Sequence, residues 1–148
     1  MSPRRALVGL IAIITGAIVM AGSTSSSQAK DQVSDLKAIL DAVPLPAGSA
    51  RSSEQAYPAS GDNSAYVGDD YRLPAGTTSQ QIVKLLEDAH YQFVDPHTGK
   101  VDPGQATAGV GVDSGDLRIL PAGRTGNGIR FRWANGRLQL SIEPGLVR

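Results

Sequence analysis

The side chains best suited to specific chemistry are four arginines towards the C-terminus, Arg118, Arg130, Arg132 and Arg137. The planar guanidinium fork matches a carboxylate or a phosphate through two parallel hydrogen bonds, which an ammonium cannot do. No lysine follows Lys100, and residues 118–148 hold six arginines against one acid, Glu143, a net of +5. Residues 30–117 hold six basic and thirteen acidic residues, a net of −7. A basic patch of this kind raises the local concentration of anionic partners, here an anionic envelope component or an acidic protein surface. The competing reading is a solvated sheet face neutralised by the acidic part of the same domain.

Other groups are less well arranged. His90 and His97, the two histidines, could ligate a metal with Asp95 and Asp102. Their spacing fits neither a zinc pattern nor the oxygen-ligand order of a calcium loop, so no metal is expected, and a helix end followed by a polar turn accounts for them. Asp69-Asp70, or Asp62 with either, could form paired carboxylates for acid–base work, and a small extracytoplasmic hydrolase using carboxylates in 62–102 is the enzymatic alternative. A solvated strand edge accounts for the same residues. Serines lack a G-x-S-x-G elbow. The Gly-rich segments at 109–111 and 123–128 lack the lysine and the strand–loop–helix order of a phosphate loop. No cofactor and no specific nucleic-acid recognition are expected.

The arginines need a sheet to present them. Ile129, Phe131 and Trp133 alternate with Arg130 and Arg132, and Leu138, Leu140 and Ile142 alternate with Gln139, Ser141 and Glu143. Asn135-Gly136 between them is a two-residue hairpin signal, because a type I′ turn needs positive φ at both positions. That loop pairs Ala134 with Arg137, Trp133 with Leu138, Phe131 with Leu140 and Ile129 with Ile142. All six apolar side chains then share one face and Arg130, Arg132 and Arg137 take the other. A second hairpin around Asp113–Asp116 is expected to set Val112 opposite Leu117 and Val110 opposite Ile119, bringing Arg118 alongside. A helix over 79–91, capped by Thr78 or Ser79, carries Ile82, Leu85, Leu86 and Ala89 on one face. Short strands are expected over 65–73 and 91–94. The predicted class is α+β, a small antiparallel sheet of four strands with one main packing helix. Leu-Pro-Ala-Gly recurs at 45–48, 73–76 and 120–123, and Pro at the second position suits a type I turn.

The chain opens with Arg4-Arg5 and sixteen uncharged residues, Ala6–Ala21, followed by small polar residues to Ala29. This is the form of a signal peptide, with cleavage expected before Lys30, or of an uncleaved anchor at the lower edge of spanning length. Arg4-Arg5 also fits a twin-arginine export signal. With no cysteine, disulfides, thiolate chemistry and thioether lipidation are excluded. The expected organisation is a signal peptide or N-terminal membrane anchor over 1–29, an amphipathic helix and Pro/Ser/Gly-rich linker over 30–63, and a globular α+β domain over 64–148. The expected location is extracytoplasmic, secreted or held in the cytoplasmic membrane by the N-terminus through residues 6–21. The functional expectation is a small exported binding or accessory protein without a catalytic motif. A purely structural membrane-tethered domain is the remaining alternative.

Overall fold

The computed structural model describes residues 21–144, so residues 1–20 of the expected 1–29 leader, which include most of its apolar run, lie outside the described residues. Its elements run α1 (Ala21–Asp41), β1 (Ala50–Tyr57), β2 (Tyr66–Arg72), α2 (Ser79–Asp88), β3 (Gln92–Val94), α3 (Gln105–Ala108), β4 (Gly115–Leu120), β5 (Ile129–Ala134) and β6 (Arg137–Ile142). The strands form one antiparallel sheet in the order β1-β2-β6-β5-β4-β3. The fold is therefore α+β, with six strands rather than four. No helix among the described residues is long and apolar enough to cross a membrane.

The C-terminal hairpin has the register that its alternation and turn require. Ala134 faces Arg137, Trp133 faces Leu138 and Phe131 faces Leu140. Asn135 and Gly136 both have positive φ, 52° and 70°, as a type I′ turn demands. One face of the sheet buries Val67 and Tyr71 of β2, Leu138, Leu140 and Ile142 of β6, Ile129, Phe131 and Trp133 of β5, and Leu117 and Ile119 of β4. Leu36 and Leu40 of α1 and Ile82 and Leu86 of α2 pack on that same face. Each such side chain contributes roughly 1.5–3 kcal/mol by leaving water.

Helix α2 starts where its cap dictates. The Thr78 hydroxyl accepts from the Gln81 N–H and the Gln81 side chain accepts from the Thr78 N–H, a complete capping box. The helix ends at Asp88, three residues before the expected Tyr91, with His90 at φ 63°. Its first residue, Ser79, is buried and reaches across to the sheet. The Trp133 Nε1–H donates to the Ser79 Oγ at 3.0 Å, and the Ser79 Oγ–H donates to the Ser114 carbonyl at 3.4 Å.

Three expectations are corrected. The linker expected within 30–63 does not run unbroken, because 50–57 is strand β1, an edge strand paired with β2. All eight of its residues are exposed, so it carries no apolar alternation to betray it, and with it the 30–63 segment joins the same sheet and core as the rest. The hairpin pairing Val112 with Leu117 does not form. Ile119 is paired with Phe93 of β3 and Leu117 with Phe131 of β5, while Val110 bridges Gly115 in a tighter register. Residues 105–108 instead coil into α3, and Val112 is left 86% exposed. The Leu-Pro-Ala-Gly turns are offset by one residue. In each, the proline carbonyl accepts from the residue after glycine: Ser49, Thr77 and Arg124. That puts Gly48, Gly76 and Gly123 third in the turn with φ of 89°, 81° and 77°, the type II position that favours glycine.

Candidate anion-binding face

Strand alternation places three rows of polar side chains on the sheet face opposite the helices. From β5 come Arg130 and Arg132, from β6 Arg137, Gln139 and Ser141, and from β4 Asp116 and Arg118. The four arginines singled out from the sequence thus share one face. Arg132 and Arg137 are exposed and Arg118 and Arg130 half-buried. β2 adds a fifth, Arg72, set directly opposite Arg137 in the ladder. Arg72 could not be found without the β2–β6 pairing, which joins segments more than sixty residues apart.

Two carboxylates stand among these arginines. Asp116 forms a bidentate pair with Arg130, Nη2–H to Oδ2 at 2.8 Å and Nε–H to Oδ1 at 3.2 Å. That bond, with the fields of Arg130, Arg132 and Arg118, holds the Asp116 carboxyl below its ordinary range. Asp70 accepts from the Ser53 hydroxyl at 2.6 Å. Among the described residues, Arg72, Arg118, Arg132 and Arg137 form no ion pair. The ladder also sets arginine against arginine twice, Arg72 opposite Arg137 and Arg118 opposite Arg130. Like charges directly opposite destabilise a sheet, by roughly 0.2–1 kcal/mol on the scale of cross-strand pairs. A hollow of about 400 Å³ opens on this face, bounded by Ser52, Ser53, Asp70, Arg132, Arg137 and Gln139.

The carboxylates considered for acid–base work are not brought together. Asp69 and Asp70 are neighbours on β2 and therefore point to opposite faces, Asp70 outwards and Asp69 into the core opposite Leu140. Asp69 is no solvated strand edge, since β2 lies between β1 and β6 and the Asp69 side chain is 0% exposed. Its Oδ2 lies 3.3 Å from Arg51 Nη2 and accepts from the Tyr71 hydroxyl at 3.3 Å, while its Oδ1 has no hydrogen-bond partner. Burial pushes the Asp69 carboxyl up, against the opposing pull of Arg51. Arg51 is held more closely by Asp41 of α1 at 2.6 Å and Glu54 at 3.0 Å, so this network fastens α1 to the edge of the sheet. Asp62 is exposed in a turn.

The histidine segment is occupied by its own turns. The Asp95 carboxylate accepts from the N–H groups of His97 and Thr98, and that of Asp102 from Gly104 N–H and the Gln105 side chain. His90 and His97 are both exposed. Among the described residues no three His, Cys, Asp or Glu side chains gather as a metal site would require. Comparison of the chain with protein-family models, with curated proteins and with solved structures finds no match.

Proposed function

We propose that the chain is an exported, non-enzymatic binding domain that takes an anionic partner on the open face of its sheet. The observation that carries this reading is the pair of arginine-on-arginine rungs, Arg72–Arg137 and Arg118–Arg130, on a face that no helix covers among the described residues. A ladder gains nothing from such rungs in isolation. Local rules are broken in this way chiefly where function requires it, and an anion lying between the guanidinium groups relieves the repulsion. Export rests on the basic, apolar and small-residue order of 1–29. Fractionation with mass spectrometry of the N-terminus tests it, and intact soluble protein confined to the cytosol would overturn it.

The experiment for the binding reading replaces Arg118, Arg130, Arg132 and Arg137 by glutamine. Retention on anionic liposomes and anionic polymer is then measured together with the melting temperature. Near an anionic surface each basic residue contributes about 1 kcal/mol. Retention by the wild type must also weaken with salt, since the Debye length falls from about 10 Å at 0.1 M to about 3 Å at 1 M. Lost retention without a fall in melting temperature is the expected result. No wild-type retention at low salt, or retention that survives the substitutions, would leave the arginines a structural role only.

A further inference from the structure

The strand register arranges the unpaired arginines as an oblique track across the open face. Arg72 and Arg137 stand side by side on β2 and β6. Arg132 lies one strand over, on β5, and one outward-facing step along, opposite Gln139. Arg118 lies a further strand over, on β4, and a further step along, opposite Arg130. With strands about 4.8 Å apart and outward-facing residues about 6.7 Å apart along a strand, each oblique step from Arg137 to Arg132 to Arg118 is about 8 Å. Off this line the outward residues are Asp70, Gln139, Ser141 and Arg130 on one side and Asp116 on the other, and the one arginine among them, Arg130, is neutralised by Asp116. The Asp116–Arg130 pair crosses the line between Arg132 and Arg118, so the chain supplies one anion of its own at that point. The 400 Å³ hollow lies on the same line, between Arg132 and Arg137.

We propose that the occupant of this face is a linear phosphodiester polymer without aromatic bases, a poly(polyol phosphate), laid obliquely across β2, β6, β5 and β4 with successive phosphates on Arg72/Arg137, Arg132 and Arg118. The proposal rests on the anion-binding reading of the face and adds the partner's geometry. A three-carbon polyol phosphate has six backbone bonds between phosphorus atoms, roughly 7 Å when extended at the advance per bond of an extended chain, close to the oblique step. A guanidinium fork suits each phosphate. Nucleic acid has a similar phosphate spacing, but single strands are held by bases stacked on aromatic side chains. The track carries no aromatic residue. The one aromatic pair of this face among the described residues, Tyr57 and Tyr66, stacks off this line, with the Tyr66 ring lying over Gly68. A flat bilayer has no reason to select one diagonal of the sheet over another.

The test is equilibrium binding of the full chain to glycerol phosphate oligomers of increasing length. Oligothymidylate, polyuronate and anionic phosphatidylglycerol vesicles serve as comparison probes. Affinity is expected to climb steeply over the first few phosphates and then flatten as the track fills. With three phosphates engaged, log K against log salt should have a slope of about −2, from roughly −0.7 per phosphate on a single strand. Arg132→Gln and Arg118→Gln, each the lone arginine on its phosphate, should each flatten the slope by about 0.7. Arg124→Gln, on the turn after β4, should not. Trp133 fluorescence and melting temperature confirm that each variant is folded. Binding to vesicles but not to the oligomers overturns the track while leaving an anion-binding face. Tighter binding of oligothymidylate or polyuronate overturns the choice of polymer. Equal effects of Arg132→Gln, Arg118→Gln and Arg124→Gln overturn the diagonal. No binding to any probe at low salt overturns both this proposal and the reading beneath it.

Discussion

Replacing Asp69 by asparagine is expected to stabilise the protein at neutral pH by about 1 kcal/mol, although it deletes an apparent salt bridge. A buried ion pair that loses one partner ordinarily destabilises by roughly 3–5 kcal/mol, because the other charge is stranded. Here the other charge is not stranded: Arg51 keeps Asp41 at 2.6 Å and Glu54 at 3.0 Å and is itself partly exposed. The Asp69 contacts are weak, both at 3.3 Å, against a usual 2.7–3.2 Å. Its Oδ1 has no partner at all, and leaving a buried polar group unpaired costs about 1–3 kcal/mol, more when it is charged. Asparagine keeps the shape and removes the charge. The pH dependence gives a second check. Burial raises the carboxyl of Asp69 above its ordinary 3.8, so the folded state binds the proton more tightly than the unfolded state. Wild-type stability therefore gains a contribution as pH falls through the raised pKa towards 3.8, and loses it as pH rises. The advantage of Asp69→Asn should be full above that window and shrink on acidification. Urea unfolding of both proteins across the window, followed through Trp133, measures the difference and cancels every other titrating group. A loss of 3 kcal/mol or more at pH 7 would refute the reasoning.

Phe131→Ala should cost roughly 3–5 kcal/mol as a fully buried aromatic, whereas Arg132→Ala, one residue on and outward, should stay within about 0.5 kcal/mol; equal losses in urea melts would contradict the register. Ser79→Ala leaves the indole N–H of Trp133 without its 3.0 Å acceptor. It should cost about 1–3 kcal/mol and shift the emission of the single tryptophan, and an unchanged spectrum would mean that the bond does not hold α2 to the sheet. Arg72→Gln removes one arginine-on-arginine rung and should raise stability by a few tenths of a kcal/mol at low salt while weakening anion retention; a lower melting temperature would show that the rung is not repulsive. Thermal melts with and without a chelator should coincide, and a large loss with chelator would mean that the 90–102 segment holds a metal.

What could be read in advance was local. The Asn135-Gly136 turn and the alternation on either side of it specify β5, β6 and the direction of Arg130, Arg132 and Arg137 without reference to any other part of the chain. Helix α2 is equally local, with its cap at Thr78 and its apolar residues at helical spacing. What could not be read depends on distant pairing. β1 is exposed along its whole length and exists because β2 offers it an edge. Asp69 looks like a surface acid in sequence, and only the placement of β2 inside the sheet buries it. Buried Leu117 and Ile119 turn Arg118 outwards, although the hairpin expected to carry it does not form. Nothing in residues 110–112 announces that β3 and β5 already occupy both sides of β4.

Two places remain where local chemistry conflicts with the fold. One is Asp69, charged and sealed in the core; the other is the pair of arginine rungs on the outer face. They differ in what could relieve them. Asp69 is 0% exposed, so no ligand reaches it, and only a proton or a substitution can ease its burial. The arginine rungs are open to solvent, and an anion placed between the guanidinium groups converts a repulsive pair into two charge-assisted contacts. Asp116 already does this for Arg130, bridging to it across the ladder, while Arg72, Arg132 and Arg137 project without such a partner among the described residues. The chain thus contains one worked instance of the interaction that its outer face is proposed to make with a partner. The arginines left over, and not the buried acid, are the part of this fold that an external ligand can complete.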